Sequence, residues 1–598
     1  MAKQENEMLS VGALKLNGFV DYYVNFIENF HLKDESLWRK FENVFRDKED
    51  IVDNGWRGEY WGKQMRGACV CYYYSQDERL YRIIKRTVEE MINLQEDSGR
   101  ISSYTVEKEF NGWDLWARKY VATGLIHFYY ICKEEDLKLK IVETLRGHLD
   151  YLIDRLGDGE GKKCITQTSD AWGGVNSCSI LEPVIGFYNM VKEEKYLEFA
   201  KYIISTGGSS LGSLIDAASD KERPLVEYPV LKAYEVISFF EGVLEYYKVC
   251  KEEKYLTIVE NFLYSLQKNE ISVIGCAGCW GEEYAQTSIK QTEIMQWPTQ
   301  ETCVTVTLMR IYSKMHMLTG EVKYLEYFEK SALNGLYGSV NVNKLEGKSS
   351  KTENAGIMMF DSYSPLIDEV RNRGVGGFKD LKRGGYYGCC ACIGAVAVGL
   401  VPLMSALGKD GNLLLNYYYS GHVALEKGFS VSISSDYPVS DDVQITINES
   451  DAKERSVIFR VPEWCDEFVL KTDSKTYKCE KGYFELKKVF RIGETIKIKI
   501  KKSVKRIELN GFSCFTYGPI VLCRDDKKES IESRVSAIKF DPKIENLEIN
   551  RLPEEELEMV RFEIGDENQK IILTDYASCG KNWDTENRVS VWLKQYED

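Results

Sequence analysis

The sequence predicts two architectures in one chain: a mainly α catalytic-sized part built as a closed toroid of paired helices, then all-β antiparallel sandwiches. Three observations carry this. A short acidic phrase returns at near-regular intervals ahead of apolar helical stretches, Gly- and Trp-rich polar segments separate the helix pairs, and beyond Leu407 the apolar period falls from helical to two.

The phrase reads Asp77-Glu78-Arg79-Leu80, Glu134-Glu135-Asp136-Leu137, Glu194-Lys195-Tyr196-Leu197, Glu253-Lys254-Tyr255-Leu256 and Glu321-Val322-Lys323-Tyr324-Leu325. Leucine to leucine, the steps are about 57, 60, 59 and 69 residues, room for one helix pair with its connections. After each phrase the apolar residues keep a helical period, as in Tyr255, Leu256, Val259, Phe262, Leu263 and Leu266, and the acidic first turn suits a helix N-terminus. Another apolar helix precedes each phrase, for example Val236 to Cys250. Roughly six such pairs over residues 10–410 make either an open solenoid or a closed α/α toroid. Closure is favoured by Trp56-Arg57-Gly58-Glu59-Tyr60-Trp61-Gly62-Lys63 and Trp172-Gly173-Gly174-Val175-Asn176, odd as solenoid turns but natural as loops around a central pocket.

Past Leu407, Val443-Gln444-Ile445-Thr446-Ile447, Val457-Ile458-Phe459-Arg460-Val461 and Ile496-Lys497-Ile498-Lys499-Ile500 alternate apolar with polar, the mark of half-buried strands, and turns such as Glu480-Lys481-Gly482 punctuate them. The expected division is 1–410 for the helical domain, 411–507 for a β-sandwich and 508–598 for a second β region, both β parts serving as support.

The chain has 598 residues and a formal net charge of −15, which opposes the basic footprint of a nucleic-acid or anionic-membrane binder. No apolar leader and no membrane-length run is present, so a cytoplasmic protein is expected. Seventeen cysteines, an odd number scattered through a long chain, read as reduced thiols. A homodimer is left open.

Chemistry concentrates in two clusters. Glu301-Thr302-Cys303 and the pair Cys389-Cys390, closely followed by Cys392, offer one carboxylate and three thiols, a donor set that borderline-soft Zn²⁺ accepts. Val304 to Leu318 is apolar and helical, so Glu301 and Cys303 sit at a helix mouth. Adjacent cysteines on a regular helix are expected not to share one ion, but Gly384-Gly385 and Gly388 permit an irregular loop. Cys276-Ala277-Gly278-Cys279 is a rival metal or redox pair. A zinc-bound sulfur is a thiolate and hence a nucleophile, and Glu282 or Glu283 in Trp280-Gly281-Glu282-Glu283-Tyr284 could protonate a leaving group.

These motifs, on repeated helix pairs followed by β-sandwiches, resemble glycoside hydrolase family 127, the β-L-arabinofuranosidase type. The resemblance extends to Arg460-Val461-Pro462-Glu463-Trp464 and Gly518-Pro519-Ile520-Val521. It implies an (α/α)6 barrel, zinc held by Glu301, Cys303, Cys389 and Cys390, and retaining, exo-acting hydrolysis with Cys389 as nucleophile. Gly281-Glu282-Glu283-Tyr284 matches the family's acid/base stretch and nominates Glu282, with Glu283 as the alternative. The implied substrate is a glycoside or plant-derived oligosaccharide in a pocket that includes Trp61, Arg118, Lys119, Trp172, Asn176, Lys232 and Tyr234.

Departures from the family bear on the sugar. Arg118-Lys119 stands for His-Lys, Lys232-Ala233-Tyr234 for His-Ala-Tyr, Trp172 for the His before Gly-Gly-x-Asn176, and Ala391-Cys392 for Pro-Asn after the cysteine pair. Added cations suit a carboxylate-bearing sugar, unless they pair with Asp114 and Glu235. Two other readings are a lyase or epimerase on the same barrel and a non-catalytic sugar-binding protein with a structural zinc.

Overall fold

The structure, a computed structural model, describes residues 6–50, 52–294, 299–342, 352–355, 359–370, 379–381, 386–426, 428–526, 537–555, 557–581 and 587–595. Gly384 and Gly385, expected to loosen the cysteine loop, lie outside these, as does the stretch after Asp526 up to residue 536.

Twelve helices among the described residues form two concentric rings. The outer ring comprises α1 (Glu35–Asp47), α3 (Glu78–Asn93), α5 (Glu135–Arg155), α7 (Glu194–Ser205), α9 (Glu253–Asn269) and α11 (Lys323–Lys330). The inner ring comprises α2 (Glu59–Ser75), α4 (Asp114–Ile131), α6 (Leu181–Val191), α8 (Ala233–Cys250), α10 (Thr302–Thr319) and α12 (Cys389–Leu403). Each inner helix packs on the next, and α12 returns to α2, so the ring is closed and the fold is an (α/α)6 barrel.

The two rings differ as their surroundings require. Outer α3 buries Leu80, Ile84, Val88 and Met91, one stripe at helical spacing, and leaves its other face wet. Inner α12 is buried almost all round, since both the axis and the outer ring cover it. The recurring acidic phrase marks where five of the six outer helices, α3, α5, α7, α9 and α11, begin, and Asp77 caps α3 by accepting from the Leu80 amide. Inner and outer partners are joined by tight turns in which Gln76, Lys192, Lys251 and Gly320 adopt left-handed backbone, closing the inner helix. The returns from outer to inner helices are long, and described residues of five of them, Trp56, Trp113, Trp172, Lys232 and Glu282, gather at the other end of the barrel. Where α2 meets α4, a Cβ on Gly62 would strike the Tyr120 carbonyl and one on Gly124 the Trp61 ring, so these helices approach backbone to backbone.

Two sheets follow, and the N-terminus completes both. Glu7–Met8 pairs with Ala406–Lys409 in a five-stranded sheet, and Leu14–Leu16 pairs with Tyr419–Glu426 in a seven-stranded one. The three predicted strand segments fall within Asp442–Ser450, Glu454–Val461 and Thr495–Lys501. Ile445 stands opposite Ile496 and Val443 opposite Ile498, so the apolar alternation is in register. A third antiparallel sheet starts at Val504–Leu509.

The β part is bolted to the barrel through α11. Arg460, fully buried, pairs with Glu326 at 2.8 Å and Glu329 at 2.7 Å, and Trp464 donates to Glu329 at 2.9 Å. Asn334 donates to the Pro519 carbonyl and accepts from the Val521 amide, docking the third sheet. Among the described residues no cysteine is in a disulfide and no helix is long and apolar enough to cross a membrane.

Candidate active site and metal centre

The N-terminal ends of the inner helices converge on a cavity of about 600 Å³. Glu59 opens α2, Trp113 precedes α4, Lys232 precedes α8, Glu301 precedes α10, and Cys389 opens α12; all five line it. Unpaired helix N–H groups therefore face this end of the barrel, a field that favours anionic donors.

Four of those donors meet. Glu301, Cys303, Cys389 and Cys390 place one ligand atom each within 4.8 Å of one another. Cys303 Sγ lies 3.3 Å from Cys390 Sγ, which lies 3.9 Å from Cys389 Sγ and 3.6 Å from Glu301 Oε1. A tetrahedral ion with bonds of about 2.3 Å to sulfur sets its sulfurs about 3.8 Å apart, so the cluster closes around a single divalent cation with little adjustment. Glu301 Oε2 is buried without a hydrogen-bond partner, as a ligand atom awaiting a cation would be. Burial, reinforced by Cys389, pushes Cys303 and Cys390 well above the usual thiol range; burial and Glu282 likewise raise Glu301. A cation bound here would have to displace protons from these donors.

One expectation is corrected. Adjacent Cys389 and Cys390 share the site from a regular helix, not from a loop, because they occupy its first turn. There the Cα–Cβ bonds lean toward the N-terminus, and both thiols reach past the helix end. The rival pair takes no part: Cys276 donates to the Glu301 carbonyl at 3.3 Å, and Cys279 Sγ lies 3.9 Å from the Ala285 carbonyl. Burial raises the Cys276 thiol to about 12. Cys392 is buried one turn along α12 and raised by burial.

Glu282 lines the cavity and Glu283 does not. Glu282 holds left-handed backbone, φ 70°, on a loop tied down at several points. Its carbonyl accepts from the Ala233 amide at 3.1 Å, and Tyr284 N–H donates to Leu231. Buried Glu270 accepts from the amides of Ala285, Gln286 and Thr287. The Glu282 carboxylate takes a hydrogen bond from Tyr363 at 2.6 Å and an ion pair from Lys232.

The expected sugar contacts divide. Trp172, Lys232 and Tyr234 line the cavity, while Asn176 stands behind it, donating to Gly112 at 3.1 Å. Arg118 is spent elsewhere, on Asp114 at 3.0 Å and Glu109 at 2.7 Å. Lys119 is buried over Trp116 and Tyr120, and burial lowers it to about 7. Trp61 is buried and donates to Thr87 at 3.0 Å. These three do not line the cavity.

Sequence reasoning placed Trp56 to Lys63 in a pocket loop without giving Trp56, Glu59 or Lys63 a role, whereas Glu59 and Lys63 lie on α2, and it missed Trp113, Asp170, Glu235 and Tyr363 as site residues. Lys63 is buried, 2.9 Å from Glu59 and 3.9 Å from Cys303 Sγ. The Glu59/Lys63 spacing of four on the opening turn of an inner helix was the available signal.

The profile of the "Beta-L-arabinofuranosidase, GH127 catalytic domain" matches residues 17–348, and that of the GH127 middle domain matches residues 412–502. The chain belongs to glycoside hydrolase family 127. It is a glycoside hydrolase. Solved structures similar to this GH127 chain include a GH127 beta-arabinofuranosidase, at 14% identity and TM-score 0.75, over 99% of this chain and 98% of that one. Another is a GH127 beta-L-arabinofuranosidase from Geobacillus stearothermophilus T6, at 16% identity and TM-score 0.70, covering 98% and 100%. At such identity the likeness speaks to the fold. No curated protein matches the sequence.

Proposed function

We propose that this GH127 hydrolase removes terminal L-arabinofuranosyl-like residues with retention of configuration, using Cys389 as nucleophile and Glu282 as acid and base. The observation that carries the proposal is the convergence of Glu301, Cys303, Cys389 and Cys390 at a cavity that also holds Glu282. One carboxylate and three thiols fit zinc best, and a zinc ion bound there keeps a cysteine sulfur as thiolate at neutral pH.

In the first step the Cys389 sulfur forms a bond to the anomeric carbon while Glu282 gives its proton to the departing glycosidic oxygen. In the second, Glu282, now a carboxylate, takes a proton from water. That water's oxygen bonds to the same carbon as the carbon–sulfur bond breaks. Two inversions return the starting configuration. Tyr363 and Lys232 hold the Glu282 carboxyl in place for both steps.

The lining argues for a neutral sugar over a carboxylate-bearing one. Arg118 does not line the cavity, and the two lysines that do are engaged by Glu59 and Glu282. The other ionisable groups around the space, among them the carboxyls of Glu59, Asp170, Glu235, Glu282 and Glu301, offer a uronic acid no counter-charge. A panel of aryl glycosides tests this. Turnover is expected for neutral furanosides, and hydrolysis confined to uronides would contradict it.

A further inference from the structure

The family's ligand set leaves a charge imbalance. Three thiolates and a carboxylate around a divalent cation carry a net charge of −2 in a site where three of the four donors are buried. Among the described residues Lys63 is the cation placed against its sulfurs, while Lys232 acts on the Glu301 carboxylate. Its side chain is fully buried, its Nζ is 3.9 Å from Cys303 Sγ, and the ring of Tyr234, 4.5 Å away, adds a face that favours positive charge. Glu59 shares the ammonium at 2.9 Å.

Two sulfurs, Cys303 and Cys389, line the substrate cavity, and sulfur chemistry alone does not say which should react. A charge-assisted N–H···S contact drains electron density from the thiolate it touches and makes it the weaker nucleophile. Lys63 touches Cys303. Cys389 is the half-buried sulfur, on the opening residue of α12.

Resting on the metal-thiolate reading above, we propose that Lys63 is the counter-charge of the metal centre, fixing Cys303 as a permanent ligand and leaving attack to Cys389. It is a positioning residue, acting through Cys303.

The test uses full-length Lys63→Met and the double variant Glu59→Gln/Lys63→Met. Zinc affinity is read by competition with a chromogenic chelator, and iodoacetamide labelling of the zinc-loaded protein is mapped by mass spectrometry. Lys63→Met is expected to bind zinc at least tenfold more weakly and to label at Cys303 as well as Cys389, whereas the wild-type chain labels at Cys389. If Lys63 serves only to neutralise Glu59, the double variant, which removes both charges, labels at Cys389 alone as the wild-type chain does, and that result overturns the proposal; labelling that persists at Cys303 supports it. Retention of wild-type affinity and labelling in Lys63→Met overturns it equally. A wild-type chain that binds no zinc refutes the underlying metal reading instead, a distinguishable failure.

Discussion

Glu235 lines the cavity, is 2% exposed, and has an Oε2 without a hydrogen-bond partner. Burial raises its carboxyl from 4.5 to about 7, against the pull of Lys232. The folded state therefore binds this proton more tightly than the unfolded chain does. Its contribution is complete below about 4.5 and shrinks as pH rises through 7, because the unfolded state ionises first. At about 1.36 kcal/mol per pH unit, the rise from 4.5 to about 7 makes the loss about 3 kcal/mol by pH 8. Glu235→Gln keeps the shape without the charge, so it should match wild type at pH 4.5 and exceed it at pH 8. With unfolding entropy near 2.1 cal/mol/K per residue over 598 residues, that is about 2 to 3 °C in melting temperature. Scanning calorimetry of both proteins from pH 4.5 to 8 checks it. A Gln variant that melts at or below wild type at pH 8 would refute the argument and place an ionised Glu235 in a stabilising network.

Purified protein should carry about one zinc per chain by elemental mass spectrometry, and Glu301→Gln or Cys303→Ser should release it; full occupancy in either variant counts against the site. Glu282→Gln should lose roughly 10²- to 10⁴-fold in kcat/KM, which reports the first step, on glycosides with poor leaving groups and far less on activated ones, and a uniform loss would move the acid role elsewhere. Arg460→Met strands the Glu326 and Glu329 carboxylates between barrel and sandwich, and calorimetry should register a loss of about 3 to 5 kcal/mol.

The barrel was legible because its repeat is physical: each acidic phrase starts an outer helix, and the helix before it ends in a tight turn. Closure was legible only through the Trp- and Gly-rich loops, since α12 meets α2 across most of the barrel's sequence. The metal ligands were readable as residue types whose meeting needed the ring. Arg118 misled because a cation in a pocket looks like a ligand for anions, yet Asp114 sits one turn earlier on the same helix and takes it. Lys63 was passed over for the converse reason: its partner in the site, Cys303, is 240 residues away. Tyr363 lies in the return before α12, where no periodicity announces a role.

In the proposed mechanism the sulfur of Cys389 bonds to the sugar. Glu282→Gln lacks the base for the second step, so an activated arabinofuranoside given to it should pile up the covalent intermediate. Intact and peptide mass spectrometry is then expected to show one pentosyl residue added to the peptide carrying Cys389. A pentosyl group on Cys303 or on a carboxylate, or none at all while leaving group is released, would contradict the account.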